Sequence, residues 1–186
     1  MSRKDILKNL ADFSFDGPAL PEYDFRVKRP MDLPAKFTAS ATAAGSQIIA
    51  PSGLPQIIAQ YENVLQFSKL SDHKGLNISE IKSPYDLPRI DLLVMDGVFG
   101  VAENGAIWVE TTGLPFRVLP FIAEHLVIGI PSEQIVANMH DAYAKIKSGS
   151  YDFGVFIAGP SKTADIEQSL VIGAQGPRSL GMVIFE

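Results

Sequence analysis

The chain has 186 residues, of which 46% are hydrophobic and 20% charged, a length and balance that predict one soluble globular domain. Cysteine is absent, which excludes disulfides, a thiol nucleophile, a zinc–thiolate site and an iron–sulfur cluster held by this chain's own thiolates. Sixteen basic residues against 21 acidic ones give a net charge of −5, and the scatter of the basic residues does not indicate binding to nucleic acid.

Residues 1–36 predict an N-terminal helix followed by an extended arm. Ser2 can cap a helix over residues 2–13, in which apolar residues recur at helical spacing: Ile6, Leu7, Leu10 and Phe13. Residues 14–36 contain four prolines, which exclude a continuous helix. Because this arm keeps several apolar side chains, we expect it to lie on its own domain or on a second subunit of a homodimer.

No targeting or membrane-spanning segment is predicted. The N-terminus is positively charged, but no apolar segment follows it. The longest uncharged stretch, residues 37–61, contains glycines, prolines and polar residues, so it is too polar for a membrane span, which needs about 20 mostly apolar residues. We therefore expect a cytoplasmic location without insertion into a membrane.

From residue 37 onward the pattern alternates between helices and strands. Helices are predicted over residues 37–44, 54–67, 132–147 and 163–170. Strands are predicted over residues 46–50, 90–95, 105–109, 126–130, 153–158 and 180–185, and a turn over 51–53. Apolar strands interleaved with amphipathic helices predict an α/β domain whose sheet is buried on both faces.

The segment Gly-Pro-Ser-Lys-Thr-Ala-Asp-Ile-Glu, residues 159–167, follows a predicted strand and opens a predicted helix. Free N–H groups at a helix start attract anions, and Ser161, Lys162 and Thr163 add hydroxyl and ammonium donors. The segment predicts a cradle for a phosphate or carboxylate, although the hydroxyls can instead satisfy their own backbone. It is not a Walker A loop, because the required glycine spacing is missing.

A second irregular loop, Gly-Ala-Gln-Gly-Pro-Arg, covers residues 173–178. Arg178 can offer a bidentate fork to a carboxylate or a phosphate. It can equally pair with Asp165 or Glu167 and fix the loop. The two interpretations are compatible if Asp165 orients Arg178 toward a ligand.

Two further residues are candidates for acid–base or nucleophilic chemistry. Asn104 and Gly105 predict a hairpin turn, on which Glu103 is either an exposed turn residue or a carboxylate nucleophile. His125 precedes a predicted strand and is a candidate general base if the fold brings a ligand to it. No histidine spacing typical of a metal site occurs, so no metal is expected.

The two C-terminal loops, read together, resemble the LUD-domain family, and within it the lactate utilization LutC (YkgG-like) group. Residues 102–105 are similar to the family's acidic-x-Gly segment, and residues 119–125 to its Pro…His stretch before a strand. The resemblance covers residues 37–186. It implies a single three-layer α/β domain of the NagB/RpiA/CoA transferase-like type, shared by sugar-phosphate isomerases and CoA transferases, preceded by the arm of residues 1–36.

The resemblance also implies a role in the oxidation of L-lactate to pyruvate, together with iron–sulfur partner proteins (LutA-like and LutB-like). Those partners would hold the clusters, while this chain would hold no cofactor and bind a small anionic ligand. The implied ligand-binding positions are members of the family's motifs without individual roles: Ser161, Lys162, Thr163, Asp165, Glu167, Gln175, Arg178 and His125.

The sequence departs from the family at two places. Gln175 stands where the family usually has His, so any acid–base work of that imidazole is lost. Glu103-Asn104-Gly105 lacks the family's usual Thr-Gly-Thr character and resembles the Ser-Glu-Asn-Gly element of CoA transferases, whose glutamate is the nucleophile. Two alternatives follow: a CoA transferase-like acyl transfer enzyme with Glu103 as nucleophile, or a non-catalytic regulatory module.

Overall fold

The computed structural model describes residues 3–5, 8, 32–146, 153–166 and 169–186. Residues 3–5 and 8 are helical, but the rest of the predicted N-terminal helix and the arm up to residue 31 lie outside the described residues, as does Glu167. The division of the chain at residue 36 therefore stays a prediction. None of the helices in the described ranges is long and apolar enough to cross a membrane.

Helices and strands alternate along the described chain. The helices are α1 Leu33–Ala43, α2 Leu54–Ile58, α3 Leu119–Ile122 and α4 Met139–Ile146, and short 3-10 helices cover Pro51–Gly53, Pro84–Asp86 and Ser132–Gln134. The strands are β1 Gln47–Ile49, β2 Val64–Phe67, β3 Leu92–Asp96, β4 Phe99–Val101, β5 Ala106–Glu110, β6 His125–Pro131, β7 Ile135–Val136, β8 Gly154–Ile157, β9 Lys162–Ile166, β10 Ser169–Ile172 and β11 Ser179–Phe185.

The central sheet has five parallel strands in the order β1-β11-β6-β3-β2. Successive residues of these strands point to opposite faces, and both faces are buried. Leu126 and Leu180 join the larger core cluster on one face, whereas Val127 and Val183 pack with α2 on the other. The prediction of an α/β domain with a sheet buried on both faces is confirmed.

A second sheet, in the order β7-β4-β5-β8, covers the face that carries Leu126 and Leu180. Ile107 and Val109 of β5 point into this shared core, whereas Trp108 points outward to Ala142 of α4. Strands β4 and β5 form an antiparallel hairpin, so the predicted Asn-Gly turn is confirmed. Gly105 in this turn has φ 71°, a conformation that favours glycine.

The helix predicted over residues 54–67 is wrong beyond Ile58, because α2 ends there and Val64–Phe67 is strand β2. Val64 and Leu65 are both buried, one on each face of the sheet. A strand buried on both faces is a continuous apolar run, which periodicity alone does not distinguish from a helix.

The helix predicted over residues 132–147 is correct only from Met139 onward. Ser132–Gln134 is a 3-10 helix and Ile135–Val136 is strand β7, which pairs with β4. At the other end of the chain, α1 begins at Leu33, four residues before the predicted start. Asp32 accepts the N–H of Ala35 as its cap, and Pro34 is tolerated because it lies in the first turn.

The helix predicted over residues 163–170 is wrong. The backbone instead forms strands β9 and β10, which pair antiparallel, with Lys162 opposite Ile172 and Thr163 opposite Val171. The β-branched residues of this segment favour strands over helices. Residues 159–166 therefore do not open a helix, and the expected anion cradle at a helix N-terminus is absent from this described part of the chain.

Candidate functional site

The two C-terminal loops meet. The Ser161 N–H donates to the Pro177 carbonyl at 2.9 Å, and the Gly173 N–H donates to the Ser161 carbonyl at 3.0 Å. A Cβ at Gly176 would lie 3.2 Å from the Cβ of Ser161, so the loops are also in close packing contact. Ser161 is thus the backbone bridge between the two glycine–proline corners.

A cavity of about 230 Å³, here called the corner pocket, opens beside this bridge. Its walls are mainly apolar and come from α3, from β8 and the residues after it, and from the start of β11. Ser161 and Gln175 supply its polar side chains, and no described lining residue carries a charge. The lining residues are Pro120, Phe121, Leu126, Val155, Phe156, Ile157, Ala158, Gly159, Pro160, Ser161, Gln175, Gly176, Pro177 and Leu180.

The end of α1 supports the corner that holds Ser161. Gly159 has φ 74°, and a Cβ there would lie 2.2 Å from the carbonyl oxygen of Ala44. The Lys162 ammonium donates to that same Ala44 oxygen, so this lysine ties the corner to α1. Lys162 is exposed and does not line the corner pocket, although it follows Ser161 directly. Thr163 lies in β9, while the side chain of Asp165 is outside the described structure.

His125 and Arg178 do not line the corner pocket, and they lie at the amino end of the central sheet, where β6 and β11 begin. His125 Nδ1 is 2.7 Å from Ser179 Oγ, and its ring centroid is 4.9 Å from that of Tyr61. These residues belong to a polar group at the amino end of the sheet, here called the amino-end cluster: Tyr61, Asn63, Arg89, Asp91, Glu124, His125, Arg178 and Ser179. Much of the cluster lines an open cavity of about 360 Å³.

The charges of the amino-end cluster neutralise one another. Glu124 binds Arg89 at 2.5 Å and Arg178 at 2.9 Å. The hydrogen bond from Arg89, followed by that from Arg178, lowers the pKa of Glu124. Arg178 therefore pairs with Glu124, a partner that the sequence did not reveal.

Asp91 and Tyr61 complete the electrostatics of the cluster. Asp91 accepts the backbone N–H and the side-chain amide of Asn63 at 3.0 and 3.1 Å, and the backbone bond is the main cause that lowers its pKa. Burial, and then the nearby charge of Glu124, raises the pKa of Tyr61 above its ordinary value. No three His, Asp or Glu side chains of the described ranges are grouped as metal ligands.

Glu103 lies on the turn between β4 and β5. Its carboxylate accepts the N–H of Met139, the first residue of α4, at 3.0 Å, which satisfies a free donor of that helix. Ser40 donates to the Ala102 carbonyl at 2.8 Å and holds the turn against α1. Glu103 is exposed and does not line the corner pocket, so the structure gives it a helix-capping contact. Its role as a nucleophile stays a prediction.

A third cavity, of about 460 Å³, was not predicted from the sequence. This Thr111 pocket lies between the loop after β5 and the residue before β8, and its lining is Pro84, Thr111, Thr112, Leu114, Pro115, Phe116, Arg117, Val118 and Phe153. The available signal was Arg117, which is the single charge in the apolar run of residues 114–122.

Comparison with known proteins supports the α/β fold described above. The LUD domain family matches residues 86–185, which is more than half of the chain. The chain belongs to the LUD domain family. A crystal structure of a DUF162 family protein from Deinococcus radiodurans superposes with a TM-score of 0.58 over 82% of this chain and 95% of that one. Because the two are 14% identical, this likeness shows a shared fold.

Curated relatives share more sequence. Lactate utilization protein C of Geobacillus kaustophilus is 29% identical over 90 residues, which cover 45% of this chain and 38% of that protein. The protein of the same name from Anoxybacillus flavithermus is 35% identical over 78 residues, covering 41% and 36%. That from Bacillus pumilus is 26% identical over 161 residues, covering 80% and 66%. The chain thus spans less than two fifths of the first two relatives.

Proposed function

We propose that this chain is an accessory, ligand-binding component of L-lactate utilisation, and that the corner pocket takes a small organic anion such as L-lactate or pyruvate. Membership of the LUD domain family and the names of the curated relatives support the pathway. The observation that carries the binding role is the closure of the two glycine–proline loops around Ser161 into one cavity.

The chemistry of the corner pocket suits a small carboxylate. The Ser161 hydroxyl and the Gln175 amide can donate hydrogen bonds to its oxygens, and the apolar walls can hold a methyl group. No carboxylate is among the described lining residues, so the walls do not repel an anion. Lys162 adds an exposed positive charge one residue away from Ser161.

The absence of cysteine assigns electron transfer to other proteins in this proposal. Oxidation of L-lactate to pyruvate releases two electrons and two protons, and this chain has no thiolates to hold an iron–sulfur cluster. LutA-like and LutB-like partners would carry the electrons, while this chain binds the organic acid. The purified chain is therefore expected to have no lactate dehydrogenase activity of its own.

Calorimetric titration with L-lactate and pyruvate tests the binding role. Ser161→Ala and Gln175→Leu are each expected to weaken binding about tenfold, the effect of losing one hydrogen bond to a charged group. Ser79→Ala, at an exposed serine in a loop outside the pocket, is the matched control and should bind as the unaltered chain does. Equal affinities of all three variants would exclude the corner pocket as the site.

Affinity capture from a native extract tests the partners. We expect the tagged chain to recover its LutA-like and LutB-like iron–sulfur partners, recognised by mass spectrometry and by the absorbance of their clusters. A tag-only bait is the control. Recovery of neither partner would contradict the accessory role, and absence of both partners and ligand would favour the regulatory module.

A second proposal, acyl transfer, rests on the exposure of Glu103 at a tight turn. Its carboxylate would attack the thioester carbonyl of an acyl-CoA and release CoA thiolate, giving a mixed anhydride. The thiolate would then attack the glutamyl carbonyl, releasing the carboxylic acid and leaving a glutamyl-CoA thioester. Mass spectrometry after incubation with acyl-CoA should find this adduct on Glu103 and not in Glu103→Gln. An unmodified Glu103 across a broad acyl-CoA panel would exclude it.

A further inference from the structure

The corner pocket and the Thr111 pocket are lined by neighbouring residues of the same two segments of the chain. Along one wall, Arg117 and Val118 line the Thr111 pocket, and Phe121 shortly after them lines the corner pocket. Along the other wall, Phe153 lines the Thr111 pocket and Val155 lines the corner pocket. The two cavities therefore adjoin along both segments of the chain, and together they are here called the groove.

Two aromatic rings mark the boundary between the cavities. Phe121 and Phe153 meet edge to face, with ring centroids 6.5 Å apart and an interplanar angle of 69°. Phe121 is 39% exposed, although it is a large apolar side chain. A ligand that crossed this boundary would cover the exposed Phe121 ring. The boundary therefore offers apolar contact to a ligand.

Arg117 gives the far end of the groove a positive charge. Its guanidinium lies 6.0 Å from the centroid of the Phe153 ring, and it makes no ion pair with any residue of the described ranges. Thr112 adds a hydroxyl, while the buried Thr111 donates to the Phe153 carbonyl at 3.3 Å and fixes the wall. In the amino-end cluster, by contrast, Arg89 and Arg178 are both occupied by Glu124.

The sizes of the cavities also favour one longer ligand. Clefts for drug-sized ligands measure about 300–1,000 Å³. The corner pocket, at about 230 Å³, is below this range, whereas the Thr111 pocket, at about 460 Å³, lies within it. A ligand of lactate size would leave the larger cavity, with its arginine, unused.

We propose that the groove binds an elongated organic acid that carries a second anionic group on an apolar spacer. Its carboxylate end occupies the corner pocket, its spacer covers Phe121 and Phe153, and its second anion, a carboxylate or a phosphate, pairs with Arg117. The inference rests on the proposed function for the corner-pocket end alone. It extends the ligand beyond lactate and adds Arg117 as a residue that determines specificity.

Calorimetry with matched acids tests the groove. Dicarboxylates of increasing chain length are compared with the monocarboxylates of equal length, and ω-phosphono acids form a third series. We expect one spacer length at which a second anion raises affinity about tenfold, the gain of one charge-assisted pair. Arg117→Ala should abolish this gain, and Arg117→Lys should keep part of it. Arg89→Ala removes the same charge elsewhere and should leave this gain in affinity unchanged.

The outcomes separate the two proposals. Equal affinity of diacids and monoacids at every length, or a gain that survives in Arg117→Ala, would overturn the groove while L-lactate binding still tests the corner pocket. If long diacids bind through Arg117 and neither L-lactate nor pyruvate binds, the groove stands and the assignment to lactate falls. A larger gain for the phosphono acids than for the dicarboxylates would identify the second anion as a phosphate.

Discussion

Strands β6 and β11 carry two different chemistries on their two sides. They begin in register, with Ser179 opposite His125 and Leu180 opposite Leu126. The leucine pair faces the corner pocket, an apolar cavity with one hydroxyl and one amide. The His–Ser pair belongs to the amino-end cluster, in which two arginines and two carboxylates are bound to one another or to Asn63.

The difference indicates which of the two regions has polar groups that are free to bind a ligand. In the amino-end cluster, the opposite charges already satisfy each other, so a ligand has to compete with existing ion pairs. In the corner pocket, the polar side chains of Ser161 and Gln175 border a cavity large enough for a small molecule. Under the proposed function, charge density alone would select the wrong group of residues as the binding site.

The largest expected effect comes from removing the corner itself. Gly159→Ala places a Cβ 2.2 Å from the Ala44 carbonyl oxygen in a left-handed conformation. We expect a loss of about 2 kcal/mol or more in the free energy of unfolding, because the left-handed conformation costs roughly 1–2 kcal/mol and overpacking roughly 1–3 kcal/mol. Urea denaturation of the variant and the unaltered chain measures this loss in the free energy of unfolding.

Gly113→Ala is the matched control for this loss of stability. A Cβ at Gly113 would meet nothing within 4 Å, and its φ is outside the left-handed region. The same substitution should therefore be neutral there or stabilise by up to about 1 kcal/mol. Equal stabilities of the two variants would contradict the role of Gly159 in closing the corner.

Gln175→His should make the corner pocket respond to pH. An imidazole has an ordinary pKa of about 6.5, so it is charged on the acidic side and attracts a carboxylate there. We expect the variant's affinity for L-lactate to rise several-fold between about pH 8 and about pH 5.5. The unaltered chain, and Gln56→His at an exposed position of α2, should show no such rise. A flat profile in Gln175→His would place residue 175 away from the bound anion.

Much of the fold follows from the sequence, because the central strands are short apolar runs bounded by turns. Residues 126–130 and 180–185 fall within strands of the parallel sheet, and the strand predicted over residues 90–95 overlaps β3, which begins at Leu92. The errors at residues 64–67 and 163–170 have different causes. The short apolar segment 64–67 fits a helix face and a strand equally well, and pairing with β3 decides between them. Residues 163–170 are more polar, and their helix-like pattern is overridden by the antiparallel pairing of β9 with β10.

The site was predictable only in part. The proximity of the two loops followed from their paired motif, but the ion pair of Arg178 with Glu124 did not. Glu124 lies 54 positions earlier in the chain, and no sequence motif joins the two residues. The Thr111 pocket was not predicted, because its walls come from residues 111–118 and Phe153, and no motif joins them.

A smaller effect is expected from acid in the amino-end cluster. The pKa of Glu124 is lowered by Arg89 and Arg178, so its contribution to stability is full above its ordinary pKa of 4.5 and is lost as the pH falls through the lower, folded value. Glu124→Gln should therefore flatten the loss of the free energy of unfolding below about pH 4.5. Glu80→Gln, at an exposed loop carboxylate, is the control, and an equal acid dependence of both variants would contradict the pairing.

The smallest expected effect is the sharpest test of the comparison. Arg178 follows Pro177 of the corner pocket directly, yet its guanidinium pairs with Glu124 and the residue does not line the pocket. Arg178→Ala should therefore leave the affinity for L-lactate unchanged and the circular dichroism intact, although the residue belongs to the loop that forms the pocket. Arg178→Lys, which keeps the charge, should behave identically. A loss of affinity in the alanine variant that the lysine variant restores would mean that Arg178 leaves Glu124 to bind the anion, and the corner pocket and the amino-end cluster would then be one site.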